Sequence, residues 1–184
     1  MSAGAIIVLA LLVFIGITIF KGVRIVPQGY KWIVQRLGKY HTTLSPGLNF
    51  VIPYVDEVAY KITTKDIVLD IPSQEVITRD NAVLVMNAVA YINLTTPEKA
   101  VYGIENYTWA IQNLVQTSLR SIVGEMDLDD ALSSRDHIKA KLKAAISDDI
   151  SDWGITLKTV EIQDIQPSST MQSAMEAQAA AERQ

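Results

Sequence analysis

The sequence predicts an α+β domain attached to one membrane-spanning helix, and three observations predict it. From Ala3 to Phe20 it reads AGAIIVLALLVFIGITIF, eighteen residues whose only polar side chain is Thr18. Between residues 30 and 94, β-branched and aromatic residues gather in short runs bounded by Gly, Pro and Asn. From 97 to 153 apolar residues recur at helical spacings, and a last alternating run follows at 155–165. The predicted boundaries are 1–22 for the anchor, 23–95 for a β-rich part, 96–167 for a helical part with a returning strand, and 168–184 for a terminal helix.

A helix rises ~1.5 Å per residue, so the first run comes close to the ~30 Å hydrocarbon core. Ile6, Leu9, Leu12, Phe14, Ile17 and Phe20 are its membrane-spanning side chains. All 16 Lys and Arg and all 20 Asp and Glu lie from Lys21 onward. A cleaved leader needs a basic start and a small-residue cleavage site; here no basic residue precedes the run, which ends in Ile19, Phe20 and Lys21. An uncleaved anchor is therefore expected. Lys21, Arg24, Lys31, Arg36 and Lys39 follow it closely, which by the positive-inside rule puts the N-terminus outside and the remainder in the cytoplasm. Gly4 and Gly16 do not stand at G-x-x-x-G spacing, so the anchor carries no specific pairing code.

Beyond the anchor, Pro27 to Gly29 marks a turn before a strand near Tyr30 to Leu37. Arg79, Asp80 and Asn81 separate two β-branched segments as a hairpin would. Residues 83–94 are mostly apolar on both faces, which predicts a strand covered on both sides. Thr96 and Pro97 open a short helix to about Gly103. A longer helix is expected from Tyr107 to Val123, its broad stripe including Trp109, Ile111, Leu114, Val115 and Leu119. Ser133 and Asp136 mark the start of a helix that ends near Trp153, where Gly154 supplies a cap. The strand from Ile155 to Ile165 loses its alternation near Thr159, as a bulge would cause. Ser169 and Gln172 then form a capping-box pair. In the helix they open, Met171, Ala174, Met175 and Gln178 share one face and are the expected oligomer contacts.

Little here suggests chemistry. With no cysteine there is no disulfide, thiol nucleophile or Cys-ligated zinc. His41 and His137 read as surface residues, and Asp127, Asp129 and Asp130 as acids in the first turn of a short helix. Asp148, Asp149 and Asp152 read as a solvated helix face. No G-x-S-x-G elbow, Walker loop or G-x-G-x-x-G turn occurs. No catalytic, cofactor or metal residue is therefore assigned. The glycosylation triplets at Asn93 and Asn106 conflict with a cytoplasmic domain. A net charge of -4 with dispersed basic residues leaves no footprint for nucleic acid.

Six collinear stretches then carry a resemblance: the anchor, RIVPQGYKWIVQRLGKY, PGLNFVIP, VLDIPSQEVITRDNAVLVMNAVAYI, LRSIVGEMDLDDALSSRD and WGITLKTVEIQDIQP. In that order they resemble the SPFH (band 7) family of stomatin, prohibitin and flotillin, most closely its bacterial stomatin-like, QmcA-type branch. The likeness runs from Lys21 to Gln184. It implies an SPFH domain of antiparallel strands and packed helices, followed by a long coiled-coil helix of which only the first turns are present. It also implies a non-enzymatic scaffold whose copies form a large ring or cage around a membrane microdomain. The implied partners are the protein itself, membrane lipids and membrane proteins such as AAA+ proteases; the implied location, in a bacterium, is the inner membrane. An adaptor that regulates a membrane protease or transporter without large assembly is the competing expectation.

One stretch stays open between two readings. Residues 44–57, LSPGLNFVIPYVDE, are too short to span a bilayer, and Pro46 and Pro53 interrupt any helix through them. They form either a turn and short strand in the domain core or a shallow insertion in which Leu48, Phe50, Val51, Ile52 and Tyr54 meet the membrane surface.

Overall fold

A computed structural model describes residues 3–182. Met1, Ser2, Arg183 and Gln184, which fall within the predicted anchor and terminal helix, lie outside the described residues. The chain divides into two compact units at Lys65/Asp66, well before the expected boundary near residue 95. The shift has a plain cause: the strands at 67–94 take their second partner from 155–167, and a boundary at 95 would cut that sheet.

The first unit opens with helix α1 (Ala3–Gly22), which is long and apolar enough to cross a membrane. Two small sheets follow. Strands β1 (Val23–Val26) and β4 (Gly47–Phe50) form an antiparallel ribbon. Strands β2 (Tyr30–Arg36), β3 (Lys39–Leu44) and β5 (Asp56–Thr63) form an antiparallel sheet in the order β3-β2-β5. Their shared core is Val26, Val34, Leu44 and Val51, with Trp32 and Val58 against it.

The second unit has two layers. Strands β6 (Ile67–Ile77), β7 (Val83–Leu94) and β8 (Ile155–Pro167) make an antiparallel sheet with β7 in the middle. The helices are α2 (Pro97–Gly103), α3 (Tyr107–Gly124), α4 (Leu128–Ser133), α5 (Arg135–Ser151) and α6 (Ser169–Glu182). Helices α3 and α5 pack on each other, α3 against β6 and α5 against β8. They bury Ile111, Val115, Leu119, Ile138, Leu142, Ile146 and Ile150, while β7 buries Leu84, Met86, Ala88, Ala90, Ile92 and Leu94. The alternate residues Val83, Val85, Asn87 and Tyr91 are only half-buried. The strand is therefore covered fully on one face and partly on the other, not on both as its composition suggested.

Other local expectations shift by a residue or a face. Residue Ser134, not Ser133, precedes α5; the Ser133 hydroxyl donates to the Asp129 carbonyl at 2.7 Å in the turn before. The Ser168 hydroxyl, not that of Ser169, accepts from the Met171 amide at 3.3 Å. Trp109, placed on the buried stripe by its spacing, is exposed in the first turn of α3. The hairpin at 79–81 forms as expected, with Asn81 at φ 65, and the β8 register slips beside Tyr91.

Gly154 joins α5 to β8 at φ 70 and packs against the start of α2. Its carbonyl accepts from the Thr96 amide at 2.9 Å. A Cβ there would lie 2.5 Å from the Thr96 carbonyl oxygen and 2.9 Å from the Lys99 Cβ. Gly154→Ala should therefore destabilise the protein by ~2 kcal/mol or more, read as a lower melting temperature of the detergent-solubilised chain.

Candidate membrane-facing surface

Every apolar side chain of α1 points outward, including Ile6, Leu9, Leu12, Phe14, Ile17 and Phe20. The Thr18 hydroxyl donates to the Phe14 carbonyl at 2.8 Å, so the helix satisfies its own polar atom, as a hydrocarbon surrounding requires.

The apolar surface continues beyond the end of the helix. In the β1–β4 ribbon Val23 pairs with Phe50 and Ile25 with Leu48. Cross-strand partners share a face and alternate residues along a strand return to it, so all four lie on one side. Ile25, Leu48 and Phe50 are exposed there. The ribbon is tied to the helix end: the Val51 amide donates to the Gly22 carbonyl at 2.8 Å. The approach is so close that a Cβ on Gly22 would lie 2.7 Å from the Val51 carbonyl oxygen.

After the ribbon the chain makes a turn at residues 52–56. The Asp56 amide donates to the Ile52 carbonyl at 2.9 Å, and the Ile52 amide donates to Asp56 Oδ2 at 2.9 Å. Arg36 closes the arrangement from β2, donating from Nε to Oδ1 at 2.6 Å and from Nη2 to Oδ2 at 3.0 Å. The Asp56 side chain is only 2% exposed. The Arg36 guanidinium beside it, helped by the Ile52 amide, holds its carboxyl down at about 2 against the opposing effect of burial. The turn projects Ile52 and Tyr54 into the surroundings, with Tyr54 at φ 71. A left-handed backbone costs a non-glycine residue about 1 kcal/mol or more. The Lys21 ammonium lies 5.8 Å from the Tyr54 ring centroid, within cation–π range.

Of the five residues expected at the membrane surface, Leu48, Phe50, Ile52 and Tyr54 are thus exposed together on the first unit. Val51 is corrected: at 7% exposure it belongs to the core with Val26, Val34 and Leu44, because it alternates inward from Phe50 and Ile52. Residues 44–57 thus form a turn and short strand that gives Leu44 and Val51 to the core and leaves Leu48, Phe50, Ile52 and Tyr54 exposed. Ile25 and Leu37 are also exposed and were not singled out from the sequence. A signal for Ile25 existed, since it follows the anchor at strand-like alternation with Val23; for Leu37 there was only the Leu-Gly pair between two β runs. On α6, Ala174, Met175 and Gln178 are exposed and Met171 is half-buried.

His41 and His137 are exposed and far apart in sequence. Among the described residues, no group of three His, Cys, Asp or Glu is placed to hold a metal ion. The buried polar residue Thr78 is occupied structurally, its hydroxyl bonded to Asp80 and to Ala82 in the β6–β7 hairpin.

Residues 24–184 match the SPFH domain / Band 7 family. The chain belongs to that family. An uncharacterized protein of Mycobacterium bovis is 36% identical over 182 residues, 99% of this chain and 48% of its own length. One from Methanocaldococcus jannaschii is 41% identical over 165 residues, 90% of this chain and 82% of its own. The human mitochondrial stomatin-like protein 2 is 37% identical over 161 residues, 88% of this chain and 45% of its own. The chain spans about half the length of the mycobacterial and human relatives. The SPFH domain therefore begins with β1, and the edge described above is part of it.

The depressed Asp56 carboxyl fixes the sign of a pH effect. The folded value lies below the ordinary 3.8, so its contribution to stability is present above about pH 4 and is lost as pH falls toward 2. Hydrogen exchange of the peptide spanning 50–57, corrected for intrinsic rates, should accelerate across that window. In Asp56→Asn the same peptide should exchange several-fold faster at neutral pH and lose this acid dependence.

Proposed function

We propose that this SPFH-domain protein is a non-enzymatic membrane scaffold of the stomatin-like branch. Helix α1 crosses the bilayer once with its N-terminus outside, and the domain lies on the cytoplasmic side, in a bacterium at the inner membrane. The observation that carries this reading is the set of exposed apolar side chains on α1 and at Ile25, Leu48, Phe50, Ile52 and Tyr54, which have no stabilising environment in water. The basic residues Lys21 and Arg24 at the cytoplasmic end of the helix match both the positive-inside rule and an anionic leaflet.

The scaffold works by repetition. Copies joined side by side in a closed ring would each meet the next through two different surfaces, and α6 would begin the coiled coil that supports those contacts through Met171, Ala174, Met175 and Gln178. Holding many weak membrane contacts in one ring raises their combined strength far above any single one. The ring would enclose a membrane microdomain and organise membrane proteins, AAA+ proteases among the proposed clients.

Two experiments test this. Native mass measurement of the detergent-solubilised full chain should give a high-order homo-oligomer, and imaging in native membrane should show closed rings. A monomer at micromolar concentration rejects the ring, and a one-to-one complex with a single membrane protein without rings favours an adaptor. Met175→Glu should lower the assembled mass while leaving the helical circular dichroism intact. For topology, the absence of cysteine makes Ala3→Cys a unique thiol, which an impermeant maleimide should label from outside intact cells.

A further inference from the structure

Helix α5 carries most of its charges in the order opposite to the one its own dipole favours. A helix N-terminus attracts acids and its C-terminus attracts bases. In α5 the bases Arg135, Lys139, Lys141 and Lys143 occupy the first half, where Asp136 is the one acid. Asp148, Asp149 and the C-cap residue Asp152 crowd the other end, whose last turn has no basic residue. Two of the lysines are used within the unit: Lys139 pairs with Glu161, and Lys143 donates to the Lys158 carbonyl at 3.2 Å. Lys141, Asp148 and Asp152 are exposed and enter no ion pair among the described residues.

These residues lie on a single outer stripe. Ile138, Leu142, Ile146 and Ile150 turn another face of the helix into the unit. Away from it, Lys141, Ala144, Ala145 and Asp148 follow one another at the i, i+3, i+4, i+7 spacing that shares a helix face. His137 stands one turn before them and Asp152 one turn after, and all six are exposed. The stripe is its own complement when reversed. Lys141 stands three residues before Ala144 and Asp148 three after Ala145, while His137 stands seven before and Asp152 seven after.

We propose that α5 is a two-fold docking surface for a second copy of this chain, the two helices running antiparallel and crossing at Ala144 and Ala145. Lys141 of each copy then faces Asp148 of the other, and His137 faces Asp152. Alanine at the crossing lets the axes approach toward the short end of the ~8–10 Å range of packed helices, which brings the charged side chains within reach of one another. The reversed alignment also resolves the conflict with the dipole, because the acids of one copy lie beside the N-terminal half of the other, where acids are favoured. A second copy fits better than an unrelated partner because one surface supplies both signs in register with itself. The contact is isologous, the same patch on both copies, and so differs from the heterologous contacts of a ring. It rests on the self-association proposed above and adds a pairwise step to it.

The test uses the detergent-solubilised full chain, in which Ala144→Cys supplies a unique thiol. Mild oxidation should link it into a dimer several-fold more completely than Ser121→Cys, an exposed position on α3. In the Ala144→Cys background, Lys141→Glu or Asp148→Lys alone should cut the linked fraction several-fold by placing like charges opposite each other. An equal mixture of the two variants should restore it, since each offers the charge that the other needs, and mixing does not rescue a chain that has failed to fold. Linkage that neither substitution lowers, or that mixing does not restore, overturns the pair. A high-order oligomer by native mass measurement with no linkage at 144 overturns the pair and keeps the self-association; a monomer overturns both.

Discussion

The carboxylate of Asp56 fastens the edge of the first unit. It accepts both forks of Arg36 at the end of β2 and the amide of Ile52 at the end of the apolar stretch, joining two segments twenty residues apart in sequence. Left-handed backbone at Leu37 and Tyr54 persists only where the surroundings over-determine it. The Arg36–Asp56 fork, the Leu37–Val55 bond and the Ile52–Asp56 bonds supply that determination. A planar guanidinium held bidentately fixes orientation as well as distance, which a lysine at position 36 would not do. The apolar tips stay exposed because their backbones are tied down, while the few core residues behind them, Val26, Val34, Leu44 and Val51, are already enclosed.

The two units treat apolar surface in opposite ways. The second folds its large aliphatic residues between one sheet and the helices α3 and α5, where the leucines and isoleucines facing the sheet are fully buried. The first is small, and a small unit buries a lower fraction of its surface than a large one. Its exposed Ile25, Leu48, Phe50 and Ile52 exceed what so few core positions can enclose. In water this would be a liability for association. Next to a bilayer, as proposed above, the same residues would stabilise the attached state, and the shortage of core and the proposed membrane contact would then share one cause.

The sequence made the strongly periodic elements legible. The anchor, the β6–β7 hairpin, α3 and β8 with its register slip each carry a local signal of ten or more residues. What it hid was non-local. Pairing of β1 with β4 joins residues 23–26 to 47–50 with two strands between them, and no local pattern reports it. Without that pairing, Ile25 could not be placed beside Leu48, nor Val51 assigned to the core side. The unit boundary at Lys65 was hidden for the same reason, since only the partnership of β7 with β8 decides where 66–94 belongs. The helix starts moved by one residue: Ser134 holds the N-cap position of α5 without a side-chain cap bond, and Ser168 rather than Ser169 accepts from the Met171 amide. Trp109 stands in the first turn of α3 and is exposed, which its spacing alone did not report.

Leu37 shows a further limit and also its use. Residue type does not encode φ, so a leucine before a glycine looks like an ordinary hairpin end until the backbone is seen. Once seen, it conflicts with the consistency across levels that a natural sequence usually keeps. Asn81 demonstrates that the same protein can supply a well-suited residue at a left-handed hairpin position. A mismatch at one turn and not at the other, in a chain under the same folding constraints, points to a demand other than folding at Leu37. A single shallow side chain binds a bilayer weakly, so in the proposed assembly an apolar tip would gain from being multiplied by its neighbours.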